Sequence, residues 1–166
     1  SEEDMQCSAL GNSTTSWGAS DLGKCIVDDL NNPYTMGQFL WSGIDYIGEP
    51  TPYKTRSCYF GMADTAGFPK DPYYLIKSLW NPEPMAHIGV TWDWNEGQLI
   101  DVPVYANGAS CELFLNGRSL GSKVLDASDP ERCAARWQVP YAAGTLIAVS
   151  CAAEGKELAR DVVSSH

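Results

Sequence analysis

Four dipeptides that end in glycine, Asn107-Gly108, Asn116-Gly117, Ala143-Gly144 and Glu154-Gly155, cut the second half of the chain into short β-rich runs. Asn-Gly is favoured in two-residue hairpins because both central residues of a type I′ turn need positive φ. The dipeptides separate Val102–Tyr105, Cys111–Leu115, Arg136–Val139 and Leu146–Cys151. Side chains alternate along a strand, so the odd positions of Cys111-Glu112-Leu113-Phe114-Leu115 are expected to face a core. Ala135, Trp137 and Val139, set around polar Arg136 and Gln138, follow the same rule, and Leu146 joins them. About seven short strands in roughly 80 residues is the pattern of an antiparallel sandwich.

Residues 1–84 read differently, mixing helix and strand signals with aromatic loops punctuated by Pro and Gly. Gln38-Phe39-Leu40-Trp41 is a short apolar run of the kind that forms a buried parallel strand. Asp71-Pro72 announces a helix, since Asp caps free N–H groups and Pro at the first helical position loses no hydrogen bond. Tyr74, Leu75, Leu79 and Trp80 would give that helix an apolar face. Asn81-Pro82-Glu83-Pro84 ends it. The expected organisation is therefore two regions, residues 1–84 and residues 85–166.

Composition narrows the function. Of 166 residues, 44% are hydrophobic and 19% charged, which fits a globular chain rather than a disordered one. No run is long and apolar enough to cross a membrane as a helix, and no membrane partner is expected. The net charge of −10 removes the basic patch that a nucleic-acid backbone would need. Six cysteines show no C-x-x-C spacing and there are two histidines, so neither a metal nor any other cofactor is expected. An even cysteine count without metal spacing leans toward an oxidising compartment, hence a secreted or periplasmic protein with at least one disulfide. The alternative is that each cysteine is a small buried hydrophobe. Asn12-Ser13-Thr14 is a formal glycosylation acceptor. The opening Ser1-Glu2-Glu3-Asp4 carries no signal-peptide pattern and reads as mid-protein sequence, so a piece of a longer chain is expected.

Three stretches resemble the family 2 β-galactosidases. Gly37-Gln38-Phe39-Leu40-Trp41-Ser42-Gly43-Ile44-Asp45-Tyr46-Ile47-Gly48-Glu49-Pro50-Thr51-Pro52-Tyr53 is similar to that family's last barrel strand and active-site loop. Ser57 to Trp80 resembles the loop and helix that close the barrel. Glu112 to Gly121 is similar to a hairpin of the sandwich domain that follows it. Ser1 to Gly11 can be laid on the family's seventh-strand segment, with Glu2 in the place of the nucleophilic carboxylate. The resemblance implies an α/β remnant of a (β/α)8 barrel over residues 1–84, followed by an all-β immunoglobulin-like sandwich over residues 85–166.

It also implies a chemistry. Retaining glycosidases use two carboxyl groups roughly 5–5.5 Å apart, one attacking the anomeric carbon and one protonating the leaving oxygen. Glu2 is the candidate nucleophile, against the plain reading of an acidic cluster that only solvates its end of the chain. Trp41 would reach the barrel rim, where its indole face could pack on the C–H face of a galactosyl ring; a core Trp is the alternative. Asp45 and Glu49 are candidates for accepting sugar hydroxyls or, instead, for tying down Pro-rich turns. Asn95-Glu96 matches the clan's general-acid dipeptide but falls in the strand-rich half and reads as a turn, so the acid is expected upstream of Ser1. His87 reads as a hydrogen-bonding residue at a domain junction.

The expected function is thus part of a retaining enzyme that cleaves terminal β-galactosides, inactive alone. Its expected partners are a β-galactoside or related glycan and the N-terminal remainder of the enzyme. The alternatives are a non-catalytic carbohydrate-binding or structural module, or a β-glucuronidase or β-mannosidase of the same family.

Overall fold

The computed structural model describes residues 22–50 and 56–166. They separate into two compact units, one ending at Lys77 and the other beginning at Ser78.

In the first unit, helix α1 (Leu22–Leu30) buries Gly23, Ile26 and Val27, positions spaced three and four apart and therefore on one face. Helix α2 (Asp71–Trp80) begins in this unit at the expected Asp71-Pro72 step, buries Leu75, and runs past the boundary at Lys77. Trp80, placed on its apolar face by sequence, is half-exposed instead. A two-residue antiparallel pair, β1 (Tyr46–Ile47) with β2 (Ser57–Cys58), aligns Tyr46 with Cys58 and Ile47 with Ser57.

The strand expected over Gln38–Trp41 does not form: among the described residues none of the strands includes these positions, and Phe39 is fully exposed. A parallel strand requires neighbours that satisfy its backbone groups and cover both faces. Among the described residues Gln38 Nε2 donates upstream to Cys25 O, and the chain just past the run bonds downstream, where Met62 N donates to Ser42 O, Ala63 N to Gly43 O and Asp45 N to Ala63 O.

The second unit contains β3 (Ala86–Ile88), β4 (Leu99–Ala106), β5 (Ser110–Leu115), β6 (Arg118–Val124), β7 (Ala135–Pro140), β8 (Thr145–Cys151) and β9 (Glu157–Ser164). They form two antiparallel sheets, β3-β4-β7 and β6-β5-β8-β9. Ile88, Val102, Val104 and Trp137 of the first sheet share one core with Cys111, Leu113, Leu146 and Ala148 of the second. Alternation sets this arrangement: β7 buries Ala135, Trp137 and Val139 and exposes Arg136 and Gln138. Leu115, the third residue expected in this core on β5, is partly buried against it. Trp92 is fully buried, tilted against Tyr141 at 5.1 Å, and its indole N–H donates to Ala142 O. A buried Trp finds such an acceptor because an unpaired N–H is costly there.

The two Asn-Gly steps behave differently. Asn116 and Gly117 both have positive φ, and Leu115 pairs with Arg118, so this is the expected two-residue hairpin. Asn107-Gly108 carries the chain from one sheet to the other. Asn107 accepts from Met85 N and donates to Asn81 O and Glu83 O. Gly108 is needed there because a Cβ would lie 2.5 Å from Cys151 O. Among the described residues Cys25, Cys58, Cys111, Cys133 and Cys151 form no disulfide, so the expected one is absent there. Three of them, Cys58, Cys111 and Cys133, are buried as small hydrophobes. Burial pushes the Cys111 thiol up to about 12, because the thiolate would lose its hydration.

Candidate functional site

The segment that follows the run Gln38–Trp41 is fastened from below by a buried ion pair. Lys70 Nζ lies 2.9 Å from Asp45 Oδ1, both side chains being almost wholly excluded from solvent. The same Asp45 oxygen accepts from Gly61 N at 2.7 Å, and Lys70 also donates to Tyr59 O at 2.6 Å. Gly61 is required at this approach, since a Cβ there would sit 2.2 Å from Asp45 N. Of the two roles open to Asp45 from sequence, hydroxyl acceptor or turn fastener, these contacts are those of the fastener.

Above this anchor the side chains turn outward. Trp41 is 73% exposed, and the peptide bond linking it to Ser42 is cis. Its indole N–H donates to Tyr46 Oη at 3.1 Å, and Tyr46 Oη donates to the Glu49 carboxylate. The directions are fixed: an indole N–H can only donate and an ionised carboxylate can only accept, so the phenol accepts one bond and gives the other. Tyr46 also meets Trp41 edge to face at 6.3 Å and Phe60 at 6.1 Å. The bond to Glu49 pushes the Tyr46 phenol up to about 12, against the pull of the Trp41 N–H; ionising it would set two anions side by side. Gly48 and Glu49 both have positive φ, and this tight turn brings Glu49 back over Tyr46.

The result is an exposed indole plate whose polar edge is already occupied, so that its faces present only apolar surface. A carboxylate sits one residue beyond it in the hydrogen-bonded chain. Such a set has the chemistry to complement a ligand that is apolar on a face and hydroxylated at its edge. Sequence reasoning singled out Trp41 and Glu49 but passed over Tyr46, the residue that joins them. The available signal was its position on the same short loop, between the two.

The remaining candidates lie elsewhere. Glu2 falls outside the described residues, so its position relative to Trp41 is not part of the structure. Asn95-Glu96 is a turn, closed by Gln98 N donating to Asn95 O. His87 lies inside the second unit, stacked on Tyr105 and 3.5 Å from Asp161 Oδ2. That contact bridges the two sheets, because His87 is on β3 and Asp161 on β9. Although burial opposes it, the contact with His87 and the bond from Ile88 N hold the Asp161 carboxyl below its ordinary range. Among the described residues no group of three or more His, Cys, Asp or Glu side chains converges as a metal site would.

Residues 97–159 match a domain of unknown function, DUF4982. The chain is 42% identical over 144 residues to the β-galactosidase BoGH2A of Bacteroides ovatus, covering 84% of this chain and 16% of that protein. A β-glycosidase structure from Bacteroides vulgatus superposes with a TM-score of 0.77 at 36% identity, over 86% of this chain and 18% of the other. A glycosyl hydrolase family 2 member from Bacteroides cellulosilyticus superposes with a TM-score of 0.70 at 28% identity, over 91% of this chain and 22% of the other. Proteins named as β-glucuronidases also match. The chain therefore spans less than a quarter of the length of these relatives, and within them it corresponds to one segment. Sequence identity and superposition agree that the chain belongs to glycoside hydrolase family 2.

Proposed function

We propose that this segment completes the catalytic barrel of a retaining β-galactosidase, with residues 85–166 as the immunoglobulin-like sandwich that follows it. Trp41 is the platform for the galactosyl ring, Tyr46 holds the platform's edge, and Glu49 accepts a sugar hydroxyl. Glu2 is the nucleophile, and the general acid comes from the remainder of the enzyme.

The observation that carries this reading is the exposed, pre-positioned Trp41 plate with Tyr46 and Glu49 at its edge. The family supplies the reaction class, and the indole face supplies the complement to a pyranose C–H face. The surrounding exposure supports a barrel partner: Tyr34, Met36, Phe39 and Ile47 are almost fully solvent-exposed, and burying such large apolar side chains against other protein is favourable. The remainder of a barrel would pair and cover the run Gln38–Trp41.

A β-glucuronidase is the second reading, favoured by the relatives that bear that name. The local charge argues for a neutral sugar instead. Glu49, bonded to the phenol that joins it to Trp41, is an anion that would repel a uronate held against the indole. Comparing aryl β-galactoside with aryl β-glucuronide hydrolysis by the full-length enzyme, unmodified and as Trp41→Ala, tests the proposal. Galactoside should be preferred, and the substitution should lower kcat/KM about tenfold or more, the loss expected for an uncovered apolar sugar face. Preferred turnover of the glucuronide, or full activity without the indole, would contradict it.

A further inference from the structure

The outer face of the four-stranded sheet holds a concavity of about 370 Å³, within the range of small-ligand sites. Its floor is apolar and its rim is polar. Phe114 of β5 and Ile147 of β8 are direct cross-strand partners, and Val149 follows two residues along β8 on the same face. Val149 is flanked by Glu112 on β5 and by Arg160 on β9. These flanking groups stand about 10 Å apart, two strand spacings, on opposite sides of the apolar strip.

The rim groups are held in place before any ligand arrives. Arg160 forms two parallel hydrogen bonds to Glu157, at 2.7 and 2.6 Å, which use two of its five N–H donors. The register shift between Ser150 and Cys151 is what brings Glu157 and Arg160 to the same side. Ser119 donates to Glu112 at 2.5 Å. Two carboxylates against one guanidinium leave the rim negative, on a chain whose net charge is −10, so anions are disfavoured. A purely apolar ligand would cover the carboxylates without offering them a donor, which is costly.

We propose that this groove is a second carbohydrate site, separate from the Trp41 site, that takes one ring of a neutral pyranoside. The C–H face of the ring lies on Phe114, Ile147 and Val149. Hydroxyls on one edge donate to Glu112, and those on the other accept from Arg160. The sugar class rests on the glycosidase reading above; the amphipathic, charge-poor character of the ligand rests on the groove itself. The site would hold a glycan chain near the enzyme without taking part in bond cleavage.

Ligand-observed NMR titration of methyl β-galactoside into full-length Trp41→Ala enzyme tests this, because that background removes the platform of the first site. Binding should persist. It should weaken about tenfold when Phe114→Ala is added, since roughly 50 Å² of apolar contact is lost. Arg160→Gln, a change at an exposed side chain that leaves the floor intact, should weaken it as well, and methyl β-glucuronide should bind less tightly than the galactoside. Binding that vanishes with Trp41→Ala alone, or that is indifferent to both groove substitutions, overturns the proposal. So does absence of binding because another part of the enzyme covers the groove. Aryl galactoside hydrolysis, measured on Phe114→Ala and Arg160→Gln in the otherwise unmodified enzyme, separates the two readings. Hydrolysis without groove binding sinks only this site, and groove binding without hydrolysis of any hexoside sinks only the proposed activity.

Discussion

The two units differ in how completely they cover their largest apolar residues. From Ser78 onward, Trp92, Val102, Val104, Leu113 and Leu146 are all fully buried, and every strand finds its partners within the same unit. In the first unit Met36 and Phe39 are fully exposed, and among the described residues the run that holds Phe39 belongs to no strand. Apolar content alone does not distinguish them. What differs is whether the groups that complete a sheet are present in the same stretch of sequence. An antiparallel sandwich is closed by hairpins and short crossings, whereas a parallel barrel strand depends on strands many residues away.

Stability measurements can break this contrast. Trp92→Ala removes a buried indole and its hydrogen bond to Ala142, and urea denaturation of the 166-residue chain should show a loss of about 3–5 kcal/mol. Phe39→Ser, at an equally apolar but exposed position, should change stability by no more than about 0.5 kcal/mol. Comparable losses from the two would mean that Phe39 has a packing partner and that the first unit is as self-contained as the second.

The buried Lys70–Asp45 anchor gives the next effect. Lys70→Met leaves the Asp45 carboxylate buried without its counter-charge, and stranding one partner of a buried pair costs about 3–5 kcal/mol. Because this cost falls on the first unit, hydrogen exchange at the amides of Asp45 and Ala63 should accelerate while those of the sandwich strands stay protected. Adding Asp45→Asn should restore much of the protection, since the uncompensated charge is then gone. Accelerated exchange throughout the sandwich would show that the two units do not unfold separately.

These contrasts also explain what could be read in the sequence. The alternation in Ala135–Val139 and Cys111–Leu115 was enough to assign inward and outward faces, because both faces of each strand are determined by neighbours of the same unit. The Asp71-Pro72 helix start was legible because capping is local. Asn107-Gly108 misled, since an Asn-Gly step serves a sheet-to-sheet crossing as well as a hairpin, and only the tertiary contacts of Asn107 with Asn81, Glu83 and Met85 decide between them. The Gln38–Trp41 run misled for the opposite reason: its period fits a buried strand, but the partners that would make it one are not among the described residues. At the end of that run and in the loop after it, Trp41 and Glu49 stood out by residue type and resemblance. Tyr46 did not, because its role is a hydrogen bond to each of them, and no spacing rule for strands or helices reports such a bond.

The smallest expected effect sharpens that last point. Tyr46 should ionise at about 12 rather than at its ordinary 10.0, as followed by ultraviolet titration. Its folded-state value is raised, so the stabilisation it reports is fully present below the ordinary value and is lost as pH climbs through the higher one. Glu49→Gln should move the titration back toward the ordinary value, because the acceptor that favours the protonated phenol no longer carries charge. A titration that Glu49→Gln leaves unmoved would mean that Tyr46 does not link Glu49 to Trp41.

The central claim is that the rim around Trp41 works only as part of a barrel completed by the rest of the enzyme. The most direct test is hydrolysis of an aryl β-galactoside by the purified 166-residue chain, alone and after mixing with the upstream portion. The account predicts no turnover by the chain alone, since a missing proton donor removes about 10²–10⁴-fold of rate and most of the barrel rim is absent with it. Turnover should appear on adding the upstream portion and disappear when the added partner meets a Glu2→Gln chain. Robust hydrolysis by the 166-residue chain on its own, abolished by Glu2→Gln, would contradict the claim.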